Sequence, residues 1–162
     1  MAGLLPPGLP PSTRPVPIAQ IHLTLQFIGE TAPSRVDEII ESISASLAGL
    51  RSQRLVPSDL RVLPERGPAR TIALITAWPA PIAEARRRLA MRLAKRPGKE
   101  RAEAFLPHLT LARVPPGWTP DRRSWPVSLA PFDVVEVELV RSVLAPGGAV
   151  HQVVASFPLP PG

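Results

Sequence analysis

Apolar residues recur with two periods in this chain. Over 21–28 they alternate, with Leu23, Leu25 and Phe27 on one side and His22, Thr24 and Gln26 on the other, until Gly29. Period two predicts a half-buried strand with Phe27 in the core. Over 34–50, Val36, Ile39, Ile40, Ile43 and Leu47 recur at steps of three and four with Gly49 near the stop, which predicts an amphipathic helix. Two β-rich stretches, 55–63 and 71–78, flank a loop marked by Pro64, Gly67 and Pro68. A second helix is predicted over 81–96, with Ile82, Ala85, Leu89 and Leu93 on one stripe and Pro97-Gly98 as its end. A further strand spans 109–114, and 134–144 with 149–157 flank Pro146-Gly147-Gly148 as a hairpin. The order strand, helix, two strands, helix, strand, hairpin predicts an antiparallel α+β fold.

Residues 1–20 stand apart. They carry six prolines and little periodicity, so they read as an extended arm, with 21–162 as one domain. A length of 162 residues suits one domain, or two small lobes sharing a core. No apolar run approaches the roughly 20 residues of a spanning helix. The apolar start has no basic segment and is cut by Pro6, Pro7, Pro10 and Pro11, so a soluble, cytoplasmic protein without membrane contact is expected.

Cysteine is absent, which excludes disulfides, thiolate metal sites and a cysteine nucleophile. No H-E-x-x-H or H-x-H occurs, and the three histidines fall in three predicted strands, so neither a metal nor another cofactor is expected. The net charge of +6, with 17 of the 19 cations arginine, points to an anionic partner.

The tetrapeptide His-Leu-Thr-Leu occurs twice, at 22–25 and 108–111, each time at the start of a predicted strand. Residues i and i+2 share a face of a strand, so each copy presents a histidine and a threonine together while its leucines anchor the other face. If a pseudo-twofold axis relates the two halves, His22/Thr24 and His108/Thr110 converge on one cleft. Two imidazoles on one ligand suit a displacement in which one takes a proton from water and the other protonates the departing oxygen. Threonine hydroxyls can donate to non-bridging phosphate oxygens, and an arginine can offset the developing charge. Arg113 is the candidate. Strict alternation places it on the leucine face, so a bulge, strong twist or strand end must turn it toward the cleft. A single H-x-T is explained well enough as the wet face of an amphipathic strand. An exact repeat at matching strand positions, using two of three histidines, favours catalysis.

The stretches H-L-T-L-Q-F-I-G-E and P-H-L-T-L-A-R-V resemble the paired signatures of the 2H phosphoesterases, specifically the bacterial RNA 2′,3′-cyclic phosphodiesterases (LigT or ThpR type) formerly called 2′-5′ RNA ligases. Arg14-Pro15-Val16, the strand near 68–74, and Arg141-Ser142 before Pro146-Gly147-Gly148 extend the similarity over about residues 14–160. The resemblance implies a bilobal fold of two antiparallel sheets with outer helices. It also implies metal-independent hydrolysis of a 2′,3′-cyclic phosphate, on RNA ends or nucleotides, to a 2′-phosphomonoester. On that model His22 is the general base, His108 the general acid, Thr24 and Thr110 the hydroxyl donors and Arg113 the phosphate-binding arginine. Relatives open with an apolar strand of the R-x-F-x-A kind that is missing here. The expectation is therefore a monomer, with a dimer through the open sheet edge as the alternative.

Other residues have plainer readings. His151 is expected to be structural or to line the substrate, and Glu136 and Glu138 to be solvated. Arg86, Arg87, Arg88, Arg92, Lys95 and Arg96 form a basic helix face, read first as surface and second as a track for RNA. Trp118, in a Pro-Gly loop after the second motif, is the candidate for contact with a nucleobase. Two other functions compete: an idle module that binds RNA ends, and a phosphodiesterase for 2′-5′-linked oligonucleotides.

Overall fold

A computed structural model describes residues 4–94, 106–145 and 148–162, and the side chains among them outside 144–149. In chain order the elements are β1 (Arg14–Pro15), α1 (Val36–Leu47), β2 (Gln53–Leu55), β3 (Pro57–Leu63), β4 (Thr71–Thr76), α2 (Ala80–Leu93), β5 (His108–Arg113), β6 (Ser124–Pro126), β7 (Phe132–Val134), β8 (Glu136–Ala145) and β9 (Gly148–Pro158). The architecture is α+β with antiparallel sheets. The chain divides into two compact units, the first drawn from Met1–Thr24, Val56–Ala77 and Ala104–Pro131, the second from Leu25–Leu55, Trp78–Glu103 and Phe132–Gly162.

The first unit is built on a five-stranded antiparallel sheet in the order β1-β5-β4-β3-β6. The sequence Thr-Ile-Ala-Leu-Ile-Thr of β4 has almost no polar alternation, which suits a strand flanked on both sides, and it is buried from Ile72 to Thr76. Leu60, Val62, Ile72, Leu74, Leu111 and Ala112 form a core on one face of the sheet. Among the described residues no α-helix belongs to this unit. Leu4, Leu5 and Leu9 of the proline-rich arm, with Ile21, Trp118, Trp125 and Val127, pack against the apolar face instead. The arm is thus held by burial of its leucines, by the β1–β5 pairing and by the bond from the Val16 amide to the Leu111 carbonyl at 2.8 Å.

The second unit contains α1 packed on α2, a β2–β7 ladder and the β8–β9 hairpin. The predicted stripe of α1 is the buried one, through Ile39, Ile43 and Leu47. The helix stops before Gly49, whose φ of +78° is cheap only without a Cβ. In α2, Ile82, Ala85, Leu89 and Ala90 are buried, while Pro97-Gly98, its expected end, lies outside the described residues.

Three expectations need correction. The alternating stretch 21–28 is not a strand: it makes one isolated bridge, Leu23 to Leu109, and then leaves the sheet, since Leu25 onward belongs to the second unit. Phe27 consequently lies 78% exposed rather than in the core. The stretch 55–63 is two strands, not one. Val56 separates β2, which pairs with β7, from β3, which pairs with β4 and β6.

Candidate functional site

Both His-Leu-Thr copies lie in the first unit, side by side. Leu23 and Leu109 oppose each other in an isolated antiparallel bridge, and antiparallel register carried one residue to either side sets His22 across from Thr110 and Thr24 across from His108. Opposed residues point to the same face with their Cβ atoms about 5 Å apart, and diagonal pairs are about 7–8 Å apart. Leu109 and Ile21 pack on the core side, so the four polar residues share the opposite face. The two histidines occupy one diagonal of this quartet and the two threonines the other. An antiparallel pair has a local twofold axis, which here relates the two identical tripeptides.

The imidazoles are held the same way. Nδ1–H of His22 donates to the Gln20 carbonyl at 2.9 Å, and Nδ1–H of His108 donates to the Leu106 carbonyl at 2.8 Å, in each case two residues upstream. Such a bond fixes the ring orientation and the tautomer, and makes Nε2 the nitrogen that exchanges a proton in the neutral ring. The carbonyl of Gln20 is positioned by the 3-10 turn Ile18–Gln20, and Pro107 precedes His108 at the mouth of β5.

Arg113 reaches the same face by a β-bulge. Thr110 pairs with Ala73, but the next β4 residue, Ile72, pairs with Ala112, so Leu111 is an extra residue on β5. Leu111 and Ala112 are consecutively buried, 3% and 0% exposed, and Arg113 emerges on the side of His108 and Thr110. Opposite Arg113 on β4 is Thr71, and opposite it on β1 is Arg14.

The face continues onto β3 and β6. Asp59 is in register with Ile75, the partner of His108, and Arg61 with Ala73, the partner of Thr110. Asp59 accepts bonds from Arg61 Nε at 2.6 Å, Ser58 Oγ at 2.6 Å and Ser124 Oγ at 3.0 Å. Burial acts to raise its pKa, but the hydrogen bonds from Arg61, Ser58 and Ser124 prevail and hold it below the usual carboxylate value. Arg61 also donates to Glu65 at 2.8 Å. The sequence reading did not single out Asp59 or Arg61, and it named Arg14 only as part of the family resemblance. For the first pair the signal was their spacing of two within a strand.

Other candidates stand elsewhere. Trp118 is half-buried against the core cluster, on the opposite side of the sheet from the quartet. His151 belongs to the hairpin of the second unit, where it opposes Ser142 and is hydrogen-bonded to its hydroxyl at 3.0 Å. Glu136 and Glu138 are exposed. Arg87 and Arg88 both donate to Glu84, whose pKa falls to about 2 as a result, so part of the basic face of α2 is neutralised locally. Lys95 and Arg96 lie outside the described residues. Among the described residues, no group of three or more His, Asp or Glu is arranged to hold a metal ion, and no helix is long and apolar enough to cross a membrane.

The fold recurs in known structures. TT0787 of Thermus thermophilus superposes with a TM-score of 0.73 at 29% identity, covering 92% of this chain and 83% of that one. Escherichia coli LigT in complex with phosphate gives a TM-score of 0.67 at 22% identity, covering 98% and 85%. LigT in complex with 3′-AMP gives 0.65 at 23%, covering 98% and 84%. No curated protein matches. The family model of the 2′-5′ RNA ligase superfamily matches residues 12–144, which takes in both His-Leu-Thr copies, the bulge and Arg113. The chain therefore belongs to the 2′-5′ RNA ligase superfamily of 2H phosphoesterases, with phosphoester chemistry on RNA-related substrates.

Proposed function

We propose that the protein hydrolyses 2′,3′-cyclic phosphates, at RNA ends or on nucleotides, to 2′-phosphomonoesters without a metal ion. The observation that supports this reading is the Leu23–Leu109 bridge, because antiparallel register about it gives one diagonal to the two histidines and the other to the two threonines. In-line displacement at phosphorus needs proton transfer on opposite sides, with the attacking and leaving oxygens far apart. A histidine diagonal of about 7–8 Å brackets one phosphorus in that way.

In this mechanism His22 Nε2 takes a proton from water as the water oxygen bonds to phosphorus. The P–O3′ bond breaks, and O3′ takes a proton from His108, leaving a 2′-phosphate and a 3′-hydroxyl. Thr24 and Thr110 donate to the non-bridging oxygens from the other diagonal, and Arg113 faces the charge that builds on them. The Nδ1 bonds keep both Nε2 atoms aimed at the ligand, so little reorganisation is needed at the moment of reaction.

The test is turnover of adenosine 2′,3′-cyclic phosphate, and of an RNA with a cyclic end, in the presence of a chelator. The expected product is the 2′-phosphate, absent in His22→Ala and His108→Ala. Binding without turnover by the parent protein, surviving both substitutions, would establish a binding module instead. Turnover only of 2′-5′-linked oligonucleotides would move the substrate.

A further inference from the structure

Arg14 and Arg113 are directly opposed on β1 and β5, and both are exposed. Like charges placed opposite each other across an antiparallel pair repel. Among the described residues no carboxylate forms an ion pair with either one. Thr71 completes the row on the far side of Arg113. The row thus offers two guanidinium forks, which only donate, and a hydroxyl that can also donate, with no carboxylate among them.

This row lies on the same face as the histidine–threonine quartet, but not at it. Measured on β4, which has no bulge, Thr71 is two residues beyond Ala73, the partner of Thr110. Two residues of antiparallel strand are about 7 Å. One phosphate held between Thr24 and Thr110 can be met by the Arg113 side chain reaching back along the strand. Arg14, one strand further out on the sheet edge, is left for a different anion on the same molecule.

We infer that Arg14 binds a second phosphate of the substrate, the internucleotide diester next to the reacting cyclic phosphate, so that the site prefers an oligonucleotide end to a mononucleotide. The inference rests on the phosphodiesterase reading for its chemistry, and on the β1–β5 register for its geometry. Arg14 is a specificity residue here and touches no reacting atom. A guanidinium suits the task because its fork meets two phosphate oxygens at once, and an ammonium at the same place supplies charge without the fork.

The experiment compares adenosine 2′,3′-cyclic phosphate with the adenosine dinucleotide ending in a 2′,3′-cyclic phosphate and with the 5′-phosphorylated cyclic mononucleotide. Arg14→Ala is expected to lower kcat/KM for the dinucleotide about tenfold more than for the simple mononucleotide, mostly through KM, as befits one charge-assisted contact. Arg14→Lys should recover part of the difference, and added salt should shrink it. Equal losses on all three substrates, or no loss on any, would overturn the inference. A selective loss confined to the 5′-phosphorylated mononucleotide would refute the internucleotide assignment. Equilibrium binding of the 2′-phosphorylated mono- and dinucleotide separates the two readings. If the parent turns over no cyclic phosphate, yet prefers the dinucleotide and loses that preference in Arg14→Ala, the phosphodiesterase reading fails while the Arg14 contact stands.

Discussion

Leu23 and Leu109 meet across a single antiparallel bridge, and this pairing of two apolar residues organises the polar chemistry on the other face. A one-residue slip would set His22 opposite the wrong neighbour and turn one motif toward the core. The leucines therefore act as a register pin. Their pairing fixes where His22, Thr24, His108 and Thr110 stand.

In the proposed mechanism the two histidines act on one phosphorus, so their losses should not multiply. His22→Ala and His108→Ala are each expected to lower kcat by about 10²–10⁴, the ordinary worth of a positioned acid or base. The double variant should fall little further, since removing either partner already breaks the concerted transfer. Single-turnover product formation measures this, and a double variant slower by the product of the two single losses would mean that the rings work independently.

Arg113 should behave as an electrostatic group. Arg113→Ala is expected to cost about 10²–10³ in kcat/KM, comparable to loss of one donor to a developing oxyanion, with Arg113→Lys recovering part of it. The fold should persist, because the side chain is exposed and makes no ion pair among the described residues. Thermal melting beside steady-state kinetics checks both halves of the statement.

What the sequence revealed, and what it hid, follows from the range of the forces involved. The stripes of α1 and α2 were readable because helical periodicity is local, and the doubled His-Leu-Thr was readable because an exact repeat needs no neighbour to be noticed. That Arg113 needs a bulge, a strong twist or a strand end to reach the cleft could also be stated in advance from alternation alone, and the structure uses the bulge. The identity of the extra residue, Leu111, depends on its pairing with β4, and no local signal encodes it. Alternation misled at Phe27, since a strand exists only where a partner supplies its hydrogen bonds, and the chain leaves its partner after Leu23. The arm hid its role for the converse reason: Leu4, Leu5 and Leu9 have no period and are ordered by a sheet face far along the chain.

Phe27 and Ile72 offer a direct check on that account. Ile72 is fully buried between β3 and β5, so Ile72→Ala should cost about 2–5 kcal/mol and Ile72→Val about 0.5–1.5. Phe27 is 78% exposed, so Phe27→Ala should fall within about 0.5 kcal/mol of the parent. Denaturant unfolding with constant m-value measures the pair. A large loss at Phe27 would restore it to the core and contradict the single-bridge geometry.

Asp59 predicts how the first unit responds to acid. Its carboxylate is held below its ordinary value because, against the opposing effect of burial, the folded state gives it hydrogen bonds from Arg61, Ser58 and Ser124. A group whose pKa is lower folded than unfolded stabilises the fold above the unfolded value, near 4, and that stabilisation fades as pH falls through the folded value. Asp59→Asn should therefore destabilise the protein by about 1–3 kcal/mol near neutrality, where charged hydrogen bonds are lost and Arg61 keeps only Glu65 as an acidic partner. The gap between variant and parent should close as pH drops below 4, because the parent then loses the same charge. Glu84 and Glu38, also lowered by their arginines, add to the parent's acid sensitivity in both proteins alike, so only the difference reports on Asp59. Unfolding free energies of the two proteins measured from pH 7 to pH 2 test this, and a gap that stays constant or widens toward acid would show that Asp59 is not bound as charged carboxylate in the fold.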